Sequence, residues 1–339
     1  MKVAVLGCGG MGHVHARIYA GMEDVTLTAV CDTDPPRAQS LAEELEVAAY
    51  VDFDEMLRQA EFDVISIAVP SWLHHTYAVQ AARAGKHVIC EKPIALTPED
   101  ARDMIDVCAA NGVRLFIGHV VRFFPDYARL KYTLDNGSLG KPGVAHVSRR
   151  GGHPAKTHPW YADADKSGGI IVDLMIHDLD FLRWSLGDVS QVYAMERKET
   201  LLEYALVTLE FKSGAVANAE GYWGYPGPFQ TKAELTGSGG IAQASSLDSS
   251  SIKLHRREPA TENSPFVAIP GSPSASSPYE RELKHFIACI RGEAEPIVTA
   301  EDALRALELA LAAQESCRSG QPVKLASASG GHSPEPNGK

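Results

Sequence analysis

Residues 1–32 read MKVAVLGCGGMGHVHARIYAGMEDVTLTAVCD. An apolar run (Val3, Val5, Leu6) leads into Gly7-Cys8-Gly9-Gly10-Met11-Gly12. A helix-like stretch follows, then a second apolar run from Val25 to Cys31, closed by Asp32. That order is strand, glycine turn, helix, strand, acid. Gly7 permits a tight turn, Gly9 lets a pyrophosphate approach the backbone, and Gly12 lets helix and strand pack closely. The helix N-terminus, at Gly10 and Met11, offers free N–H groups and partial positive charge to phosphates. Asp32 stands where a carboxylate accepts ribose hydroxyls. With strand, helix and acid all in place, the stretch points to NAD(P) binding rather than to an ordinary glycine-rich turn.

Working outward, strand and helix signals alternate to residue 118. Strands are expected at 2–6, 25–31, 46–50, 63–69, 86–90 and 113–117, and helices at 11–22, 35–46, 53–60, 73–84 and 98–110. Near-continuous apolar strands such as Val64-Ile65-Ser66-Ile67-Ala68-Val69 indicate a parallel sheet covered on both faces. The fold class is therefore α/β, a doubly wound parallel sheet over 1–120 followed by an α+β domain over 121–325 and a mobile tail, 326–339. In the second part, helices are expected at 126–136, 172–186, 279–291 and 300–317, and strands at 143–149, 189–197, 203–212, 215–223 and 229–236. Residues 245–278, rich in Ser and Pro, read as loop. Ala205, Val207, Leu209 and Phe211 alternate with Tyr204, Leu206, Thr208 and Glu210, so an open, mostly antiparallel sheet is expected. Its second face is half apolar and needs a cover, which predicts a homodimer or homotetramer packed sheet to sheet.

The 339 residues suit two domains, and the net charge of −11 supplies no field for nucleic acid. No apolar run approaches the ~18 residues of a membrane helix. The first strand begins at Lys2, so no leader is expected. Six cysteines show no C-x-x-C and no metal-site spacing, as buried free thiols in a cytoplasmic protein would. The histidine pairs His13/His15 and His74/His75 lack a ligand set, so no metal is expected.

Three further stretches carry chemistry. The first is Ala84-Gly85-Lys86-His87-Val88-Ile89-Cys90-Glu91-Lys92-Pro93, a strand ending in Glu-Lys-Pro. Ligands in such sheets bind at the carboxyl ends of strands, where Lys92 stands. Pro93 restricts Lys92 to extended geometry. The second runs from Ser167 to Asp180 as SGGIIVDLMIHDLD. On one helix Asp173 and His177 would share a face at i, i+4. Histidine titrates near neutrality and can take up and return a hydroxyl proton. Asp180 would brace the helix or the site's backbone. The third, Gly118-His119-Val120-Val121-Arg122-Phe123-Phe124-Pro125, would put Arg122 at the domain junction, as a hinge residue or a ligand contact.

Together, the glycine fingerprint, A-G-K-H-V-x-x-E-K-P, R-F-x-P and S-G-G-x-x-x-D-x-x-x-H-D-x-D resemble the glucose–fructose oxidoreductase, inositol dehydrogenase and rhizopine-catabolism (Gfo/Idh/MocA) family over roughly residues 1–320. The resemblance implies Lys92, Asp173 and His177 as the catalytic set. It implies cofactor contacts at Gly7, Gly9, Gly10, Met11, Gly12, Asp32, Pro70, Ser71, His74, Glu91 and Lys92. Ser71 departs from the family, which has Asn in this T-P-N-x-x-H motif. Substrate contacts are implied at Lys92, Arg122, Trp160, Asp173 and His177.

The expected activity is hydride transfer between nicotinamide and a secondary hydroxyl of a sugar, inositol or related polyol. Asp32 would repel a 2′-phosphate and favours NAD, while Thr33 and Arg37 leave NADP as the second choice. Two rival activities fit the same residues: an NAD-dependent glycosidase working through transient oxidation, and a non-catalytic NAD-binding regulator. The presence of both Lys92 and His177 speaks against the regulator. Arg149 and Arg150 would be either a contact for an acidic sugar or a solvated strand end, and solvation is the expectation.

Overall fold

The computed structural model describes residues 1–247 and 276–325. The tail 326–339 and most of the expected loop 245–278 lie outside the described residues. The first half runs β1 (Lys2–Leu6), α1 (Gly10–Ala20), β2 (Thr26–Cys31), α2 (Pro35–Leu45), β3 (Ala48–Tyr50), α3 (Phe53–Gln59), β4 (Val64–Ile67), α4 (His74–Arg83), β5 (His87–Glu91), α5 (Pro98–Ala110) and β6 (Leu115–Gly118). The six strands pair in parallel in the order β3-β2-β1-β4-β5-β6. Strand order reverses between β1 and β4, and the crevice at that switch point is where such sheets hold ligands. Ala4, Leu6, Ile65 and Ile67 pack into one core, while Val3, Val5 and Val64 pack into another on the opposite face. Both faces of the sheet are therefore buried, as the unbroken apolar strands require.

The second half contains α6 (Pro125–Asp135), β7 (Pro142–Gly151), α7 (Ala164–Ser167), α8 (Gly169–Asp173), α9 (Ile176–Leu186), β8 (Val189–Glu199), β9 (Leu202–Phe211), β10 (Val216–Trp223), β11 (Gln230–Gly237), β12 (Gly240–Ser245), α10 (Pro278–Ile290), α11 (Ala300–Ser319) and β13 (Val323–Lys324). The seven strands lie in the order β12-β11-β7-β10-β9-β8-β13. Only β7 and β10 run parallel; the other pairs are antiparallel. Ala205, Val207, Leu209 and Phe211 are buried, and their alternating neighbours are not. Among the described residues no helix is long and apolar enough to cross a membrane. All six cysteines are free thiols.

Two features depart from the sequence pattern. Helix α10, far along the chain, completes the first half: Leu283, Phe286 and Ile287 join the core of Val3, Tyr19 and Phe116. Phe286 stacks on Phe116 with ring centres 4.9 Å apart. A doubly wound sheet needs cover on both faces, and here a late helix supplies it.

The second departure corrects the helix expected at 172–186. It is broken into α8 and α9, so Asp173 and His177 do not share the face of one continuous helix. At the break the Met175 N–H donates to the Ile170 carbonyl at 3.0 Å, five residues back rather than four. Met175 is driven into the sheet opposite Gly221, where an added Cβ would lie 2.5 Å from its Cγ. The wide turn reorients everything after it.

Candidate active site

The glycine loop is built for a dinucleotide. Gly7 has φ +94°, and a Cβ there would stand 2.4 Å from the Ala68 carbonyl oxygen. At Gly12 it would stand 1.7 Å from the Gly7 carbonyl oxygen. A Cβ at Gly9 would meet nothing within 4 Å, so that side of the backbone is open to a ligand. Asp34, Asp52 and Thr97 cap α2, α3 and α5, but no side chain caps α1 and no acid stands in its first turn. Its leading N–H groups are left for an anion, which is the requirement for pyrophosphate. Asp32 accepts from the Cys8 N–H at 2.7 Å and the Asp34 N–H at 2.9 Å, which fixes its carboxylate beside the loop. These residues fit NAD.

Lys92 follows β5 directly, and its bond to Pro93 is cis. Glu91 before it is buried, 3.1 Å from His15 Nε2, and accepts from the Lys92 N–H at 3.2 Å. Burial alone would raise the Glu91 pKa, but His15 and the Lys92 charge outweigh it and hold the carboxyl below its usual range. His74 lies on the other side. Its ring nitrogens are 2.7 Å from the Pro93 carbonyl and 3.0 Å from the Val69 carbonyl. The imidazole thus ties the end of β4 to the Lys92–Pro93 turn. Both nitrogens are spent on main chain, so any contact of His74 with the cofactor would not be a hydrogen bond from its ring nitrogens. Pro70 precedes a single 3-10 turn, Ser71–Leu73, and Ser71 is buried.

Lys92 reaches across to the second half. Its ammonium donates to the Asp173 carbonyl at 2.7 Å and to Asp173 Oδ1 at 3.1 Å. His177 is half-buried, its Nδ1 is buried without a partner, and its ring centre is 6.5 Å from that of His119. Burial, then the charges of Lys92 and Arg149, then His119, push its pKa well below 6.5. The ring is therefore neutral near pH 7 and able to accept a proton.

Arg149 is not the solvated strand end that was expected. It is 5% exposed and forms a two-pronged pair with Asp178 at 2.8 and 3.0 Å. The signal was present: Arg149 is in phase with buried Ala145 and Val147 on β7, whereas Arg150 points the other way and pairs with Glu220. Burial, then the charges of Asp173 and Glu91, raise the Tyr161 pKa well above 10.0.

Arg122 and Trp160, both expected to touch substrate, are engaged by other side chains. Arg122 is 3% exposed, and its donors go to both Asp180 oxygens at 2.8 and 2.6 Å, the Ile297 carbonyl at 2.8 Å and Asp302 at 3.3 Å. It braces the junction and has no face for a substrate. Arg122→Met strands a fully buried Asp180 and is expected to cost ~3–5 kcal/mol in urea unfolding. A loss under ~1 kcal/mol would count against this brace. Trp160, half-buried, stacks on Tyr161 at 3.7 Å and meets Trp72 edge-on at 5.3 Å.

Histidine burial also sets a pH dependence. Burial is the largest cause pulling His74, His119 and His177 below 6.5, the value at which the unfolded chain titrates. As pH falls through that value, the unfolded state takes up protons that the native state refuses. Stability is therefore full above pH ~6.5 and declines below it, by up to ~1.4 kcal/mol per histidine per pH unit. Thermal melts are expected to shift down between about pH 7 and about pH 5. An unchanged Tm over that range would contradict the burial of these rings.

Residues 1–119 match the model of the oxidoreductase family with an NAD-binding Rossmann fold, and residues 131–325 match the family's C-terminal alpha/beta domain. The chain is 31% identical over 339 residues to myo-inositol 2-dehydrogenase of Thermotoga maritima, covering 96% of this chain and 98% of that one. It is likewise 31% identical over 339 residues to the NAD(+) scyllo-inositol 2-dehydrogenase of Bacillus subtilis, covering 96% of each. A crystal structure of a myo-inositol dehydrogenase from Corynebacterium glutamicum superposes with TM-score 0.81 at 27% identity, covering 97% of this chain and 99% of that one. Glycine loop, uncapped helix and both matched domains agree: the chain belongs to the Gfo/Idh/MocA family of NAD-binding oxidoreductases.

Proposed function

We propose that the protein oxidises a secondary hydroxyl of an inositol or related polyol with NAD, and runs the reverse reaction with the same groups. The observation that carries this reading is Lys92 spanning to Asp173 while its charge bears on a neutral His177. Bound nicotinamide supplies the acceptor for the hydride leaving the carbinol carbon. His177 takes the hydroxyl proton. Lys92 stabilises the negative charge growing on that oxygen, a preorganised donor worth ~3–4 kcal/mol. Asp173 holds the ammonium in place and offers its carboxylate to an adjacent hydroxyl. The inositol dehydrogenases among the relatives support the substrate class.

The test is a screen of inositols, aldoses, uronates and anhydrosugars with NAD and NADP side by side, reading NADH absorbance. Net NADH from an inositol or close polyol is expected, with NAD preferred. Turnover of a sugar without net NADH would instead indicate transient oxidation and sink the dehydrogenase reading. The open sheet face carries half-exposed Tyr204 and Leu206 and Met195 at 53% exposure, and we assign it to a second copy of the chain. Light scattering is expected to show an oligomer; a monomer rejects that assignment. The reduced cysteines fit a cytoplasmic location, which cell fractionation would test.

A further inference from the structure

Between Ser71 and His74, in Val69-Pro70-Ser71-Trp72-Leu73-His74, stands a tryptophan to which the mechanism gives no role. Trp72 lies in the 3-10 turn that follows β4, at the carboxyl edge of the parallel sheet. This is the edge along which such sheets hold a dinucleotide. Its indole is half-buried and reaches a segment of the other half of the chain. Trp160 stands against it at 5.3 Å and 69°. Lys166 places its ammonium 5.7 Å from the Trp72 ring centre. Both partners belong to the loop and short helix between β7 and α8.

That segment is anchored from behind. Trp160 stacks on Tyr161, and Tyr161 meets Trp223 of β10 edge-on at 6.0 Å. Trp223 is 3% exposed and packs against His153 at 5.3 Å. Ser167 closes the far end by donating to the Asp163 carbonyl at 2.9 Å. The aromatic ladder is thus continuous from the second sheet to the first. The segment leads directly into α8, which ends at Asp173, the partner of Lys92.

We infer that Trp72 is a positioning residue: it pins the 153–167 segment over the dinucleotide crevice, so that NADH leaves only when the Trp72–Trp160 contact opens. The inference rests on NAD binding and not on the identity of the polyol. It therefore survives or fails independently of the substrate screen.

The test is NADH release from the full-length protein, followed by stopped-flow displacement, together with equilibrium NADH binding. Trp72→Ala is expected to release NADH about tenfold faster, the scale on which loss of an aromatic pair and a cation–π contact acts. Trp160→Ala is expected to do the same. Because both variants remove one shared contact, the double variant should release NADH no more than about twofold faster than either single variant. Trp72→Phe keeps a ring against Trp160 and should stay within about threefold of the parent, which separates the contact from general damage to the fold. Release in Trp72→Ala within about twofold of the parent overturns the inference, as does a double variant whose effect is the product of the singles. Equal acceleration in the Phe and Ala variants also overturns it.

Discussion

His177→Ala is expected to lower kcat by ~10²–10⁴ while NADH binds as before. The asymmetry follows from position. His177 belongs to α9, with its ring 6.5 Å from that of His119 and in the charge field of Lys92 and Arg149, whereas the glycine loop and Asp32 belong to the other half of the chain. Its neutrality has identifiable causes. Burial is the largest, and two nearby cations with the His119 ring add to it. The parent's kcat/KM for polyol oxidation should therefore hold constant as pH drops through 6.5 and decline only where this depressed imidazole takes up a proton. Near-parental turnover in the alanine variant would remove His177 from the role of base. An acid limb above the ordinary histidine range would remove the field as its cause.

Lys92→Ala should lower kcat/KM by ~10²–10³, the effect of deleting one preorganised donor at a developing oxyanion. A second loss comes with it. The ammonium holds the Asp173 carbonyl and carboxylate at 2.7 and 3.1 Å, and Asp173 is 7% exposed. Without the lysine, a largely buried carboxylate stands without its cation. Lys92→Ala and Asp173→Ala therefore share one interaction, and the double variant should lose far less than the product of the two singles. Fully multiplicative losses would show that the two residues act separately.

Much of this was legible along the chain because the signals are local. Gly12 is demanded by the Gly7 carbonyl five residues back, and the parallel strands announce themselves as unbroken apolar runs. Lys92 stood out because it ends a strand in a sheet whose strand ends bind ligands. Asp173 and His177 were found through a helix that does not exist as one piece: their spacing suggested a shared face, yet α8 ends at Asp173 and α9 begins at Ile176. Both residues lie at the site because the chain buries Met175 opposite Gly221, a fact of packing with the sheet. Arg149 was misjudged for a related reason. A charged residue near a strand end is usually solvated, and its burial depends on Asp178, which is distant in sequence.

From the order of residues alone come the alternation of strands and helices, the dinucleotide loop with its acid, and the types of side chain that move protons. Each depends on neighbours within a turn or a strand, where backbone geometry and side-chain period leave few choices. Folding in three dimensions assigned the jobs. Arg122 and His74 were drawn into buried pairs and main-chain contacts, Trp160 was stacked on Tyr161, and α10 was sent back to complete the first core. Those outcomes turn on where a buried charge or polar nitrogen finds its partner, and partners that meet only across the folded interior leave no trace in local spacing.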